Sequence, residues 1–294
     1  MEPVLRMSDL TIEAATSAGT LTLVDGVELT VGPGEILGLI GESGSGKTTT
    51  VRAVLGLLDR NVSVVRGEVS VLGDVVCAPG KADFKRIRGR HAGMVFQGAS
   101  SSLDPLMKVR GQLREVVATH LPALSRKERD ARIAQVIRRM GFADVERVLD
   151  AYPHQLSGGM RQRVAIALAV VTGPELLIAD ECTSALDVTT QAEVVDLLRS
   201  LTQGDSRMAM VFVTHDLMLA KELCTRIAVM YKGEIVEQGP AAEVVGEPKH
   251  GYTKALLDAI PRWEGGIGTG EYRAEDPAPQ PAATGGPAVS PGRR

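Results

Sequence analysis

The sequence predicts an α/β fold: a mainly parallel sheet, an antiparallel β subdomain at the N-terminus and an α-helical subdomain inserted in the middle. Three features predict it. The apolar runs at 36–40, 176–179 and 210–213 lack in/out alternation and suit strands covered on both faces. Helical stretches at 48–58 and 188–201 fall beside these runs, as parallel strands joined by crossover helices require. From about 98 to 171 the strand signals give way to helical ones.

Taken in order, residues 1–83 are strand-rich. The stretch 21–31 carries alternating apolar positions, and the glycine-bounded run 36–40 leads into a Gly-rich turn that opens the helix at 48–58. Residues 69–76 read as a strand pair or hairpin arm. In the middle region Ser125-Arg126-Lys127-Glu128 is a capping box. The helix it opens places Ile133, Val136, Ile137 and Met140 on one face, and Gly141 ends it. A second helix starts after Ser157 and stops at Thr172-Gly173-Pro174. Near the end, 227–231, Lys232-Gly233 and 234–237 read as a closing hairpin. Residues 264–294 are rich in Pro, Gly and Ala without periodicity and read as a disordered tail, leaving 1–263 as the folded unit.

Composition narrows the function. With 44% hydrophobic and 23% charged residues the chain reads as an ordinary soluble globular protein. A net charge of -3 argues against a nucleic-acid partner held by bulk electrostatics. Cys77, Cys182 and Cys224 are scattered, which points to neither a metal site nor a disulfide framework and fits a reducing cytoplasm. The N-terminus lacks the basic-then-apolar pattern of a signal peptide, and the longest apolar run, 164–171, is far too short to span a bilayer. Any work at a membrane is therefore expected from outside it, through attachment to something else.

Gly41-Glu42-Ser43-Gly44-Ser45-Gly46-Lys47-Thr48 fits G-x-x-x-x-G-K-[ST], placed after a buried strand and before a helix. Its glycines let backbone N–H groups turn inward around phosphates, and the helix N-terminus adds positive potential. Lys47 supplies a full charge to the β- and γ-phosphates, the Thr48 hydroxyl is a Mg²⁺ ligand, and Thr49 follows in the same turn. A plain Gly-rich helix cap is the bland alternative, and the loop alone does not separate ATPases, GTPases and kinases. No NKxD-like tetrapeptide is present, which disfavours a GTPase. The strand at 176–179 ends in two acids. Asp180 is placed to hold Mg²⁺ through water, and Glu181, one position on, to polarise an attacking water as general base. The alternative is an exposed acidic turn, which loses weight beside a phosphate loop.

Leu156-Ser157-Gly158-Gly159-Met160-Arg161-Gln162 is a serine and two glycines at a helix start, a second anion-binding geometry. With the loop, Asp180-Glu181 and His215, the chain resembles the ATP-binding cassette family over nearly all of residues 4–262. The resemblance implies a P-loop NTPase core and a head-to-tail pair of cassettes. ATP would be pinned between Lys47 of one and Ser157, Gly158 and Gly159 of the other, so a second cassette is required. It also implies that Gln97 senses Mg²⁺ and water and links the core to the helical insertion. Asp187, in Ser184-Ala185-Leu186-Asp187, would cross the dimer interface, and His215 would contact the γ-phosphate. His120, His154 and His250 show no ligand spacing and are expected at the surface.

Two positions depart from the family pattern. The family usually stacks an aromatic residue on adenine upstream of the loop, whereas Thr16-Ser17-Ala18-Gly19-Thr20 offers none and no aromatic residue precedes Phe84. Adenine contact is then weaker, aliphatic or donated by another segment, which leaves base discrimination open and room for some use of GTP. Cys182 stands where the family commonly has proline, with little expected effect on chemistry.

Within the family the chain resembles the oligopeptide/dipeptide/nickel importer branch. The carriers are Gly41-Glu42-Ser43-Gly44-Ser45, Ser102-Leu103-Asp104-Pro105, Tyr152-Pro153-His154-Gln155-Leu156, Ala185-Leu186-Asp187-Val188-Thr189, and Gly251-Tyr252-Thr253-Lys254-Ala255-Leu256-Leu257 with Ile260-Pro261. No cysteine follows Cys224, so the iron–sulfur extension of some members is not supported. The branch implies an ATP-hydrolysing motor at the cytoplasmic face of the cell membrane. It would pair with a second, paralogous cassette and two permease subunits and serve an external solute-binding protein indirectly. A permease helix would dock in a groove lined near 97–107. The competing reading is a cytosolic, non-transport ATPase of the same family acting in translation or DNA maintenance. Such proteins carry two cassettes in one chain or a cassette split by a coiled coil, and this sequence has neither.

Overall fold

A computed structural model of the protein describes residues 2–98, 102–184, 186–203 and 207–259. The expected tail at 264–294, the end of the folded unit at 263, the pair Ile260-Pro261, and Ala185 lie outside the described residues.

The N-terminal sheet contains β1 (Leu5–Thr16), β2 (Gly19–Val31), β4 (Val62–Val71), β5 (Asp74–Ala78) and β6 (Lys81–Ala82), in the order β2-β1-β4-β5-β6. All its pairings are antiparallel. In β1 the buried apolar side chains are Leu5 and Met7, then Leu10, Ile12 and Ala14. The inward parity switches because the register shifts between Met7 and Leu10. Residues 69–76 do form a hairpin, the turn between β4 and β5.

The second sheet contains β3 (Ile36–Ile40), β7 (Ala92–Val95), β8 (Leu176–Asp180), β9 (Ala209–Thr214), β10 (Arg226–Tyr231) and β11 (Glu234–Pro240). Its order is β11-β10-β3-β9-β8-β7, parallel throughout except for the β10–β11 hairpin. Every residue of β3, β8 and β9 is buried, as continuous apolar runs require of strands covered on both faces. One apolar core joins the two sheets, drawing Leu10 and Val27 from the first and Leu39 and Val213 from the second. Val51 of α1 (Lys47–Val54) completes it, and α1 lies against strands of both sheets.

The helix expected at 48–58 is α1, and it is shorter than the apolar pattern reads. Gly56, at φ +61, stops it: its N–H bonds the Ala53 carbonyl and the Leu57 N–H the Arg52 carbonyl, a Schellman cap. A Cβ on Gly56 would lie 2.2 Å from the Phe84 ring, so only glycine fits.

The insertion contains α2 (Val109–His120), α3 (Arg126–Arg139), α4 (Val145–Asp150) and α5 (Gly158–Val170). Helix α2 packs on the other three. Arg114 grips Asp130 of α3 through two bonds of 2.7 and 2.8 Å, and Arg110 reaches Glu146 and Asp150 of α4. The capping box forms, with Ser125 Oγ accepting from Glu128 N and Glu128 from Ser125 N. Among the described residues the remaining α-helices are α6 (Val188–Thr202), α7 (Leu217–Leu223), α8 (Ala241–Gly246) and α9 (Gly251–Asp258).

Candidate functional site

Four parallel strands end on the same edge of the second sheet, and each hands over a residue singled out from sequence. β3 ends at Ile40 and runs into the glycine loop, and β8 ends at Asp180-Glu181. β9 ends at Thr214, just before His215, and β7 at Val95, two residues before Gln97. The pairings Ile40 with Thr214, Asp180 with Val213, and Val95 with Ala179 keep these ends in step. An edge formed by the carboxyl ends of parallel strands is where open α/β sheets hold ligands.

Within the loop, Gly41 lies so close to β10 that a Cβ would sit 2.1 Å from the Met230 carbonyl. Gly46, at φ +107, is the N-cap of α1, and Lys47 is the first residue of that helix. The Lys47 ammonium donates to the carbonyls of Gly41 and Glu42, both at 2.7 Å. Burial pushes its pKa down, opposed by the charges of Glu181, Asp180 and Glu42. Ser45 is buried, and its carbonyl accepts from the Gly233 N–H of the β10–β11 turn at 3.0 Å. The Thr48 hydroxyl donates to Asp180 Oδ1 at 3.2 Å. Burial pushes the Asp180 carboxyl up, against the Thr48 hydrogen bond and the charges of Arg52 and Lys47.

Glu181 adopts φ +44, a left-handed conformation that a glutamate holds at a cost of about 1 kcal/mol or more. Its backbone N–H bonds the Val213 carbonyl at 3.0 Å, which ties the turn to β9. The carboxylate accepts from Gln97 Nε2 at 2.9 Å on one oxygen, and the other lies 3.8 Å from His215 Nδ1. His215 is held between Thr214, whose hydroxyl accepts from the Asp216 N–H, and Asp216, which caps α7. Two contact groups therefore meet at this edge, Thr48 with Asp180 and Glu181 with Gln97 and His215, while Lys47 is held by carbonyls of its own loop.

A cavity of about 480 Å³ opens beside the loop. It is lined by Ser43, Gly44, Gly46, Lys47, Thr48, Thr49, Gln97 and Glu181, together with Leu21, Thr22, Leu23, Lys232 and Gly233. No aromatic side chain is among the described residues that line it, and Leu21 is 55% exposed. Sequence reasoning missed the second group. Leu21 and Leu23 lie in an alternating strand, where nothing marks an outward apolar residue as a contact. Lys232-Gly233 carried only a turn signal.

Ser157, Gly158, Gly159 and Asp187 are not among the residues lining this cavity. Ser157 is the exposed N-cap of α5, with Oγ accepting from Met160 N at 3.2 Å. Gly159 faces Thr190 of α6, whose Cγ2 would be 2.5 Å from an added Cβ. Asp187 caps α6, and its hydrogen bonds from the Thr190 N–H and hydroxyl hold its carboxyl below the usual range.

A separate apolar cavity of about 350 Å³ lies between the core and the insertion, lined by β7, Phe96, α2 and α5 among others. Of the segment 97–107 expected to line a groove here, Ser102 alone among the described residues does so. His120 also lines it and is half-buried, which corrects its expected surface position: its ring packs on Gly89, where an added Cβ would sit 2.3 Å from Nε2. His154 and His250 are exposed, and all three cysteines are buried and free.

Comparison with known proteins agrees with this geometry. The family profile described as ABC transporter matches residues 24–184, and that of the oligopeptide/dipeptide transporter C-terminal region matches 236–286. A peptide import ATP-binding protein of Brucella ovis is 42% identical over 268 residues, covering 89% of this chain and 78% of the relative. One of Brucella melitensis is 41% identical over 259 residues, covering 88% and 77%. Among solved structures, a dimeric ATP-binding cassette in a post-hydrolysis state bound to ADP and phosphate superposes with a TM-score of 0.69 at 29% identity, covering 81% of this chain and 98% of that one. A cassette of the CbiONQ transporter complex of Clostridium perfringens gives 0.70 at 25% identity, covering 84% and 92%. With these two profiles matched and relatives 42% and 41% identical along most of its length, the chain belongs to the ABC transporter family, as an importer ATPase subunit of the oligopeptide/dipeptide branch.

Proposed function

We propose that the chain powers uptake of peptides or a related small solute, such as a nickel complex. It would do so from the cytoplasmic face of the membrane, paired with a second cassette and bound to two permease subunits. The observation that supports this best is the contact set Lys47, Thr48–Asp180 and Gln97–Glu181–His215 at one sheet edge.

In this reading the loop amides and Lys47 hold the β- and γ-phosphates. Glu181 accepts a proton from the attacking water, and Gln97, already hydrogen-bonded to it, orients that carboxylate. His215 faces the γ-phosphate from β9. The Thr48 hydroxyl and the Asp180 carboxylate, in contact, are hard oxygen donors that fit Mg²⁺. Among the described residues no cluster of three or more His, Cys, Asp or Glu side chains could hold a metal. Thr48 and Asp180, with Gln97 lining the same cavity as Thr48, would hold a Mg²⁺ that keeps water and phosphate ligands, and the ion would neutralise phosphate charge. Leu21 and Leu23 offer an aliphatic contact to the base, which predicts weak discrimination between ATP and GTP.

Ser157, Gly158, Gly159 and Asp187 serve the nucleotide of the partner cassette. Ser157 is exposed at a helix N-terminus and has only its own helix to bond. The apolar cavity and the 87% exposed Leu106 offer a permease helix an apolar seat. No helix among the described residues is long and apolar enough to cross a membrane. Glu181→Gln in the assembled transporter tests the core of this reading. ATP binding should persist while phosphate release falls by about 10²-fold or more. Undiminished release would remove Glu181 as the base.

A further inference from the structure

The last described helix, α9, reaches the phosphate loop through the Tyr252 side chain. Its start is pinned to β11: Glu237 accepts from the backbone N–H groups of Lys249 and His250, at 2.8 and 3.0 Å. His250 caps the helix, its Nδ1 accepting from Tyr252 N at 3.2 Å. Tyr252 then lies on Tyr231, the last residue of β10, with ring centroids 4.1 Å apart. Its hydroxyl oxygen accepts from the backbone N–H of Glu42 at 3.0 Å, across 210 residues of sequence. The carbonyl of Glu42 is engaged as well, by the Lys47 ammonium at 2.7 Å and by the Ser45 N–H at 3.2 Å. One residue of the loop thus carries Tyr252 on its N–H and the phosphate-binding lysine on its carbonyl.

We infer that Tyr252 is a positioning residue for the phosphate loop, and that docking of α9 and binding of nucleotide phosphates are linked through Glu42. The inference rests on the nucleotide-binding reading of the loop. Tyr252 touches no reacting atom; it acts by fixing where Glu42 holds Lys47. Linkage is reciprocal, so phosphates that settle the loop also tighten α9, and a loosened α9 weakens the loop's hold on phosphate.

The test is equilibrium binding of ATP and ADP to the full chain and to Tyr252→Phe. That variant keeps the ring on Tyr231 and removes the acceptor. Loss of one such bond should weaken both nucleotides about 3- to 10-fold, while the nucleotide-free melting midpoint stays within about 2 °C. In the unaltered chain, hydrogen exchange of the α9 amides should slow on adding ATP, and in Tyr252→Phe it should respond less. Wild-type affinity in Tyr252→Phe, or α9 exchange indifferent to ATP in the unaltered chain, overturns the inference. The exchange arm needs no variant, so a folding defect in Tyr252→Phe leaves it decisive. An unaltered chain that binds no ATP fails the nucleotide reading itself, and the two failures are distinguishable.

Discussion

The sheet edge and the start of α5 are both anion-binding geometries, yet they are built in opposite ways. At the sheet edge the two acids have partners from distant segments, Asp180 on Thr48 and Glu181 between Gln97 and His215, and Lys47 is held by carbonyls of its own loop. At α5, Ser157 is exposed and bonds only its own helix. Groups held from several strands are preorganised to act within the chain. A helix start with its serine outward is shaped to act on something brought to it. On the function proposed above, the difference corresponds to one site that binds nucleotide within the chain and one that contributes when a second cassette arrives.

The sharpest way to break that contrast is to disable each half. Ser157→Arg should lower turnover of the assembled transporter about 100-fold or more. It should leave the affinity of the isolated chain for ATP within about twofold. Lys47→Ala should instead weaken that isolated affinity about 10- to 100-fold, the loss of a charge-assisted phosphate contact. Phosphate release and equilibrium binding, measured on both variants, check the pair. Equal loss of isolated affinity in both would place Ser157 in the chain's own site and end the contrast.

A smaller effect is expected at the base. Leu21→Tyr supplies the aromatic face the cavity lacks, and stacking on a base should tighten ATP binding about fivefold. A competition assay with GTP shows whether discrimination rises with it. Unchanged affinity would place the base away from Leu21.

The smallest effect concerns the cost of holding the sheet edge together. Burial raises the Asp180 pKa, so the fold favours its protonated form and ionised Asp180 destabilises the protein at neutral pH. That cost is absent below the unfolded pKa of about 3.9 and grows as pH rises through the folded value. Asp180→Asn should therefore melt about 2–4 °C higher at pH 7, with the gap closing near pH 4, while activity is lost. A lower midpoint at pH 7 would mean that Thr48, Arg52 and Lys47 outweigh burial.

Much of this architecture was legible because it is local. Residues 36–40, 176–179 and 210–213 are apolar without alternation and are β3, β8 and β9. The capping box at Ser125 and the stop at Gly141 read directly, since both are set within a few residues. β1 is harder to read, because a register shift between Met7 and Leu10 moves its buried face from one parity to the other. The sequence overstates the length of α1 because Leu57 and Leu58 continue an apolar pattern past Gly56.

The sequence by itself determined which chemistry is present: a glycine loop with Lys47 and Thr48, two acids after a buried strand, and Ser157 before a helix. Those assignments follow from residue type and short spacing, which survive without a structure. Only the tertiary structure decided what meets what. It set Gln97 and His215 on the two oxygens of Glu181, Lys232 and Leu21 beside the loop, and Tyr252 on Glu42. Each of these joins segments far apart in the chain, and such contacts are fixed by strand order and register, which no local pattern of residues encodes.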